Sequence, residues 1–178
     1  MLYARIPQER IGVLIGPDGA TKRRLEDETG CKVLVDSESG EVTIDESAAK
    51  DKFLAVKARD VVTAIGRGFS EERAFRLLDD DSYFVVLDIK DHARTPARIA
   101  QVRARVIGTR GKTRRIIEDL TGADMSVYGH TVSLIADDVQ LPIAQEAVEM
   151  LLKGSEHATV YRFLERKRGE LRIAEMGF

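Results

Sequence analysis

The sequence holds little of what most chemistry needs. One cysteine, Cys31, excludes an internal disulfide framework and a cysteine-rich zinc site, and a buried place at a strand start is expected for it. Tryptophan is absent and aromatic residues make up only 6 %. His92, His130 and His157 are scattered, each expected at the surface. No serine or cysteine stands in a nucleophile setting and no motif pairs carboxylates, so no catalytic residue is expected. The acidic run Asp79, Asp80, Asp81 reads as a solvated turn, because adjacent carboxylates rarely converge on one ion. No metal and no cofactor is expected. No apolar run approaches the roughly 20 residues of a membrane span, and residues 1–10 carry charges and Pro7 where a signal peptide needs an apolar core. A soluble, intracellular protein, cytoplasmic in location, is expected.

What is present is a duplication. Placing Gly16 over Gly108 aligns IGPDGATKRRLEDETG with IGTRGKTRRIIEDLTG, and nine of the sixteen positions are identical. The likeness continues: residues 33–35 match 125–127, and 42–44 match 132–134 after a hairpin two residues shorter in the second copy. A chain of 178 residues with 43 % apolar and 33 % charged content accommodates two small globular units.

Each copy reads in the same order. In the first, residues 2–6 form a strand, 8–15 a helix, 20–29 a second helix stopped by Gly30, and 32–36 with 41–45 a hairpin. Ser47 is expected to cap a long helix whose apolar face is Leu54, Ala58, Val61, Val62 and Ile65, with Gly66 and Gly68 ending it. Residues 69–78 read as a linking helix capped by Ser70. In the second copy, residues 83–89 are apolar and β-branched enough to suggest a central strand. Thr95 and Pro96 open a helix to Ile107, residues 112–121 form the next, 125–127 and 131–135 the hairpin, and 142–152 another helix. Ser155 is expected to cap a last helix, with a basic tail at Arg166, Lys167 and Arg168 that frays toward the end.

Between the paired helices of each copy lies a glycine-x-x-glycine loop. Two glycines let another backbone approach closely, and the amides opening the next helix favour an anion. In the second copy the loop, 108–111, sits inside a stretch from His92 to Ile117 without an acid. That stretch holds eight cations: Arg94, Arg98, Arg103, Arg105, Arg110, Lys112, Arg114 and Arg115. A merely solubilising surface mixes signs, so a phosphate chain is the expected counterpart. The near-neutral total charge of −2 conceals this. In the first copy Pro17 removes an amide and Asp18 places a carboxylate where phosphate would lie, although Lys22, Arg23 and Arg24 follow.

The order strand, helix, GxxG, helix, strand, strand, helix, present twice, resembles the type I KH domain. The expected fold class is therefore α+β: two tandem type I KH domains, each a three-stranded antiparallel sheet with three helices packed on one face. The expected boundaries are 1–68 for the first KH domain, 69–81 for a linking helix and turn, 82–154 for the second, and 155–178 for a C-terminal helix and basic tail. Over most of its length the chain resembles a narrower family, the two-KH ribosome-assembly factors of archaea, similar to the eukaryotic partner-of-Nob proteins. The strings that carry this are ERIGVLIGPDGATKRRLEDETG and RVIGTRGKTRRIIEDLTGADMSVYGHTVSLI. The resemblance implies binding of single-stranded RNA near the 3′ end of small-subunit (16S) ribosomal RNA and help for a maturation endonuclease. A translation initiation factor subunit is a further expected partner.

A KH domain clamps about four nucleotides across its GxxG loop. The expected RNA-binding residues are Ile107, Gly108, Thr109, Arg110, Gly111, Lys112, Arg114 and Arg115 in the second copy. Those in the first are Gly16, Pro17, Asp18, Gly19, Lys22 and Arg23. Bases are expected in an apolar groove lined by Ile107, Ile116 or Ile117, and strand 125–127, while Tyr128 is either a stacking platform or simply half buried. The first copy is open between a weaker clamp and a packing and protein-docking unit. Two broader readings also stand: a general single-stranded RNA or DNA binder in decay or transcription, and a protein scaffold with weak RNA binding.

Overall fold

A computed structural model describes residues 1–177. The chain forms two compact units, one spanning Met1–Asp80 and the other beginning at Asp81. Each carries its own three-stranded antiparallel sheet.

In the first unit β1 (Leu2–Arg5) is followed by α1 (Gln8–Ile15), α2 (Ala20–Thr29), β2 (Lys32–Val35), β3 (Glu41–Asp45) and α3 (Phe53–Gly66). The sheet order is β1-β3-β2. Alternation along the strands sends Val33, Val42 and Ile44 inward, and Leu14, Leu25, Ala58, Val61 and Ile65 of the helices are buried with them. Gly66 does not stop α3 by a left-handed turn. It is the point of closest approach to Ile6, whose Cβ lies 2.9 Å from where a Gly66 Cβ would stand. Gly68, with φ 99°, makes the turn.

Two local expectations change here. Ser47 does not cap α3, because Asp45 Oδ1 takes both its amide at 2.9 Å and its hydroxyl at 2.6 Å. The helix starts six residues later, where Asp51 accepts the Phe53 amide. Residues 69–78 form a short helix, α4 (Glu71–Phe75), and a 3-10 turn, with the Ser70 side chain accepting the Arg73 amide. Phe69, Ala74, Phe75 and Leu77 are buried there.

The second unit repeats the plan with β4 (Ser82–Asp88), α5 (Pro96–Ile107), α6 (Lys112–Thr121), β5 (Asp124–Tyr128), β6 (Thr131–Asp137) and α7 (Gln140–Leu152). It adds a long final helix, α8 (His157–Glu175). The sheet order is β4-β6-β5, so β4 is an edge strand and not the central one. Its apolar density reflects a seven-residue ladder with β6 and the inward packing of Val85 and Leu87. Tyr83 and Val86 are exposed. The Thr95 side chain caps α5, with Pro96 at the first helical position. Ser155 caps nothing: α8 opens at Glu156 without a side-chain cap, and helix persists to Glu175. Among the described residues no helix is long and apolar enough to cross a membrane.

Three positions identical in both copies join the second helix of each unit to the strand after it. Glu26 Oε2 receives the Val33 amide at 3.0 Å, and Glu118 Oε2 the Met125 amide at 3.1 Å. Thr29 and Thr121 bond back to the Leu25 and Ile117 carbonyls and accept the amides of Cys31 and Ala123. Gly30 and Gly122 close their helices with φ 73° and 80°.

Candidate nucleic-acid interface

Both GxxG loops take one backbone form. Gly108 ends α5 at φ 77°, ψ 170°, Thr109–Gly111 makes a 3-10 turn, and Gly111 opens α6 at φ 76°, ψ 16°. The first copy has Gly16 at 75°, 175° and Gly19 at 75°, 15°. A Cβ at Gly108 would stand 2.8 Å from Thr113 Cβ, and one at Gly16 would collide likewise with Thr21. Only glycine fits at that first position.

The third loop residue is the unusual one. Arg110 has φ 55° and Asp18 φ 52°, the two non-glycine residues in the left-handed region among the described residues, a conformation that costs about 1–2 kcal/mol. Each is held by an arginine five residues on. Arg115 Nη2 donates to the Arg110 carbonyl at 3.0 Å, and Arg23 Nη1 to the Asp18 carbonyl at 2.7 Å. Pro17 fits its place without disturbing the loop, whose internal bond runs from the Gly19 amide to the Gly16 carbonyl.

The cations divide differently in the two copies. Among the described residues Arg94, Arg103, Arg110 and Lys112 have no side-chain partner, and all four are exposed. Arg110 and Lys112 stand at the mouth of α6, where no side chain caps the first amides. Arg114 is paired with Glu118 at 2.8 Å, and Arg98 donates to Gln101. Arg105 donates to the carbonyls of Leu151 and Ser155, so it serves the fold. In the first copy Lys22 faces Glu26 at 3.5 Å. Arg24 meets Glu28 at 2.9 Å and Glu71 at 3.4 Å, and lies 4.2 Å over the Phe75 ring. Asp18 stands exposed where the second copy has Arg110.

Burial also sorts the groove. Ile117 is 0 % and Met125 1 % exposed, so both belong to the core. Ile107, Ile116 and Val127 keep part of their surface, and Tyr128 is half-buried. Strand β5 is a sheet edge, and Glu118 of α6 takes its Met125 amide there. The histidines are more engaged than their scatter suggests. His130 Nδ1 lies 2.9 Å from Asp88 Oδ1, and His157 Nε2 bonds the Arg105 carbonyl at 2.8 Å. Partial burial pushes the Asp88 carboxyl up, but the Lys90 amide and the His130 ring outweigh it and hold it below the usual carboxylate range.

Comparison with known proteins agrees with this architecture. Residues 83–169 match the family described as the eukaryotic type KH-domain (KH-domain type I), and residues 3–58 match the KH domain family. A KH domain-containing protein of Methanocaldococcus jannaschii is 47 % identical over 96 % of this chain and 75 % of its own length. The crystal structure of Dim2p from Pyrococcus horikoshii OT3 is 48 % identical with a TM-score of 0.85, covering 93 % of this chain and 98 % of that one. The a/eIF2alpha–aDim2p–rRNA complex from the same organism matches at 47 % identity and a TM-score of 0.89, over 96 % and 94 % of the two chains. With two KH units in the same order, 47 % identity to a KH domain-containing relative, and 98 % and 94 % coverage of the two solved relatives, the chain belongs to the family of archaeal tandem KH-domain proteins that includes Dim2p.

Proposed function

We propose that this protein is a non-catalytic, cytoplasmic binder of single-stranded RNA, gripping the 3′ end of small-subunit ribosomal RNA through its second GxxG loop. In that role it assists small-subunit maturation by recruiting or positioning a processing endonuclease. The observation that carries the reading is the pair Arg110 and Lys112, exposed and unpartnered beside a glycine loop and uncapped helix amides. Phosphates would lie on residues 108–111 and the first turn of α6, with Arg114 and Arg115 fixing the frame around them. The relative solved together with a/eIF2alpha and rRNA supports an RNA of this class, and a translation initiation factor subunit as a partner.

For the first unit the internal pairing of Lys22 and Arg24 and the exposed Asp18 favour a packing and protein-docking role over a weaker clamp. Crosslinking to total RNA, repeated with Thr109→Asp and Arg110→Asp together, tests the assignment. Most RNA affinity is expected to disappear while the fold survives, because both residues are exposed. Unchanged binding would refute the second loop as the main clamp. Pro17→Asp is expected to cost less, and a larger loss there would reverse the ranking of the units.

A further inference from the structure

The first turns of α8 sit behind the second loop and are tied to both helices that carry it. Thr113, in the first turn of α6, is 1 % exposed and packs against Gly108 from below. Its hydroxyl lies 2.9 Å from the Tyr161 hydroxyl of α8. One turn earlier on α8, His157 donates to the Arg105 carbonyl in the last turn of α5, and its ring stacks on Tyr161 with centroids 6.0 Å apart. Arg105 answers by donating to the Leu151 carbonyl at the end of α7 and the Ser155 carbonyl just before α8. The ends of α5 and α6 are therefore held to one support by these side chains.

The duplication supplies an independent instance. Thr21, the partner of Thr113 in the first copy, is 2 % exposed and packs against Gly16 in the same way. Its hydroxyl donates to Glu71 Oε2 at 3.0 Å, and Glu71 comes from the helix that follows α3. Two unrelated side chains, a tyrosine and a glutamate, from two different appended helices reach the equivalent threonine of each copy. A packing accident does not repeat with different chemistry at one equivalent atom.

We propose that α8 is a back-support for the second GxxG loop and that Tyr161, acting through Thr113, is a positioning residue for RNA binding; this rests on the reading of that loop as the clamp. Preorganised amides bind a phosphate without first paying to order the loop. The Tyr161–Thr113 bond holds Gly108 and the opening amides of α6 in that form.

The test uses the full chain and a labelled oligonucleotide with the sequence of the 3′ end of 16S rRNA. Tyr161→Phe removes the bond and no charge. It is expected to weaken RNA binding about three- to tenfold, with an unchanged salt slope and faster amide exchange confined to residues 108–113. Thr113→Val removes the same bond from the other side and serves if Tyr161→Phe fails to fold. The two together are expected to do no more than either alone, the mark of one shared interaction. A Tyr161→Phe protein that melts lower yet binds RNA and exchanges its loop amides as wild type would overturn the proposal, since packing alone predicts that pattern. If Thr109→Asp with Arg110→Asp leaves RNA binding intact, the clamp reading fails instead, and loop exchange in Tyr161→Phe still decides whether α8 holds the loop.

Discussion

Glu118 receives the Met125 amide on Oε2 and holds Arg114 on Oε1, so one carboxylate links α6, the edge strand β5 and a cation beside the candidate groove. Its side chain is 12 % exposed, and Glu26 makes the same bond to Val33 in the first unit. Glu118→Ala leaves a strand amide unpaired and is expected to cost about 1–3 kcal/mol in urea unfolding. Glu118→Gln keeps an acceptor and should cost less. Equal losses for the two would show that the amide bond is not what matters.

The two loop glycines differ in what they tolerate. At Gly108 a side chain meets both a glycine-only backbone region and the Thr113 side chain. At Gly111 the nearest atom is the tip of Arg114, 4.0 Å away. Gly108→Ala is therefore expected to destabilise by about 3 kcal/mol, and Gly111→Ala by about 1–2 kcal/mol. Thermal unfolding of the pair checks the order, and a reversed order would contradict the loop geometry.

Cations in the acid-free stretch should separate into two classes. Arg110→Ala and Lys112→Ala remove exposed, unpartnered charge. Each is expected to lower the salt slope of RNA binding by about 0.7 with little change in stability. Arg105→Ala removes a donor from the Leu151 and Ser155 carbonyls, the first of which keeps the Gly154 amide. It is expected to cost about 2 kcal/mol of stability and to leave the slope alone. Titrations across ionic strength, paired with denaturation curves, distinguish the classes.

The Asp88 carboxyl is held below the usual carboxylate range in the folded state. A depressed folded value means that the folded protein binds fewer protons than the unfolded chain. The stability it contributes is present above the unfolded value of about 4 and is lost as pH falls through the folded one. Asp88→Asn is expected to flatten the acid limb of a stability–pH curve while preserving the cap on the Lys90 amide. An unaltered acid limb would show that Asp88 is not among the groups responsible.

The sequence carried the architecture through its repetition. Glycines at 16, 19, 30, 108, 111 and 122 sit where left-handed or near-forbidden backbone is required, so their spacing marked both loops and both helix ends. Local capping was less legible. Ser47 and Ser155 have the right chemistry, but Asp45 engages the first and α8 simply begins after the second. Strand order was not readable from β4, because apolar density reports how much surface is buried and not which neighbour buries it. Identity between the copies did mark Glu118 and Thr113, yet their roles depend on Met125 and Tyr161, partners seven and 48 residues away that no local pattern announces.

The matched backbone at Asp18 and Arg110 has an engineering consequence. Because both sockets already hold a left-handed residue braced by a following arginine, a cation grafted at position 18 would meet a finished mount. The electrostatic character of each loop is thus a removable fitting on a common chassis. A duplicated fold of this kind can re-arm or disarm one grip with a single residue and leave its scaffold alone.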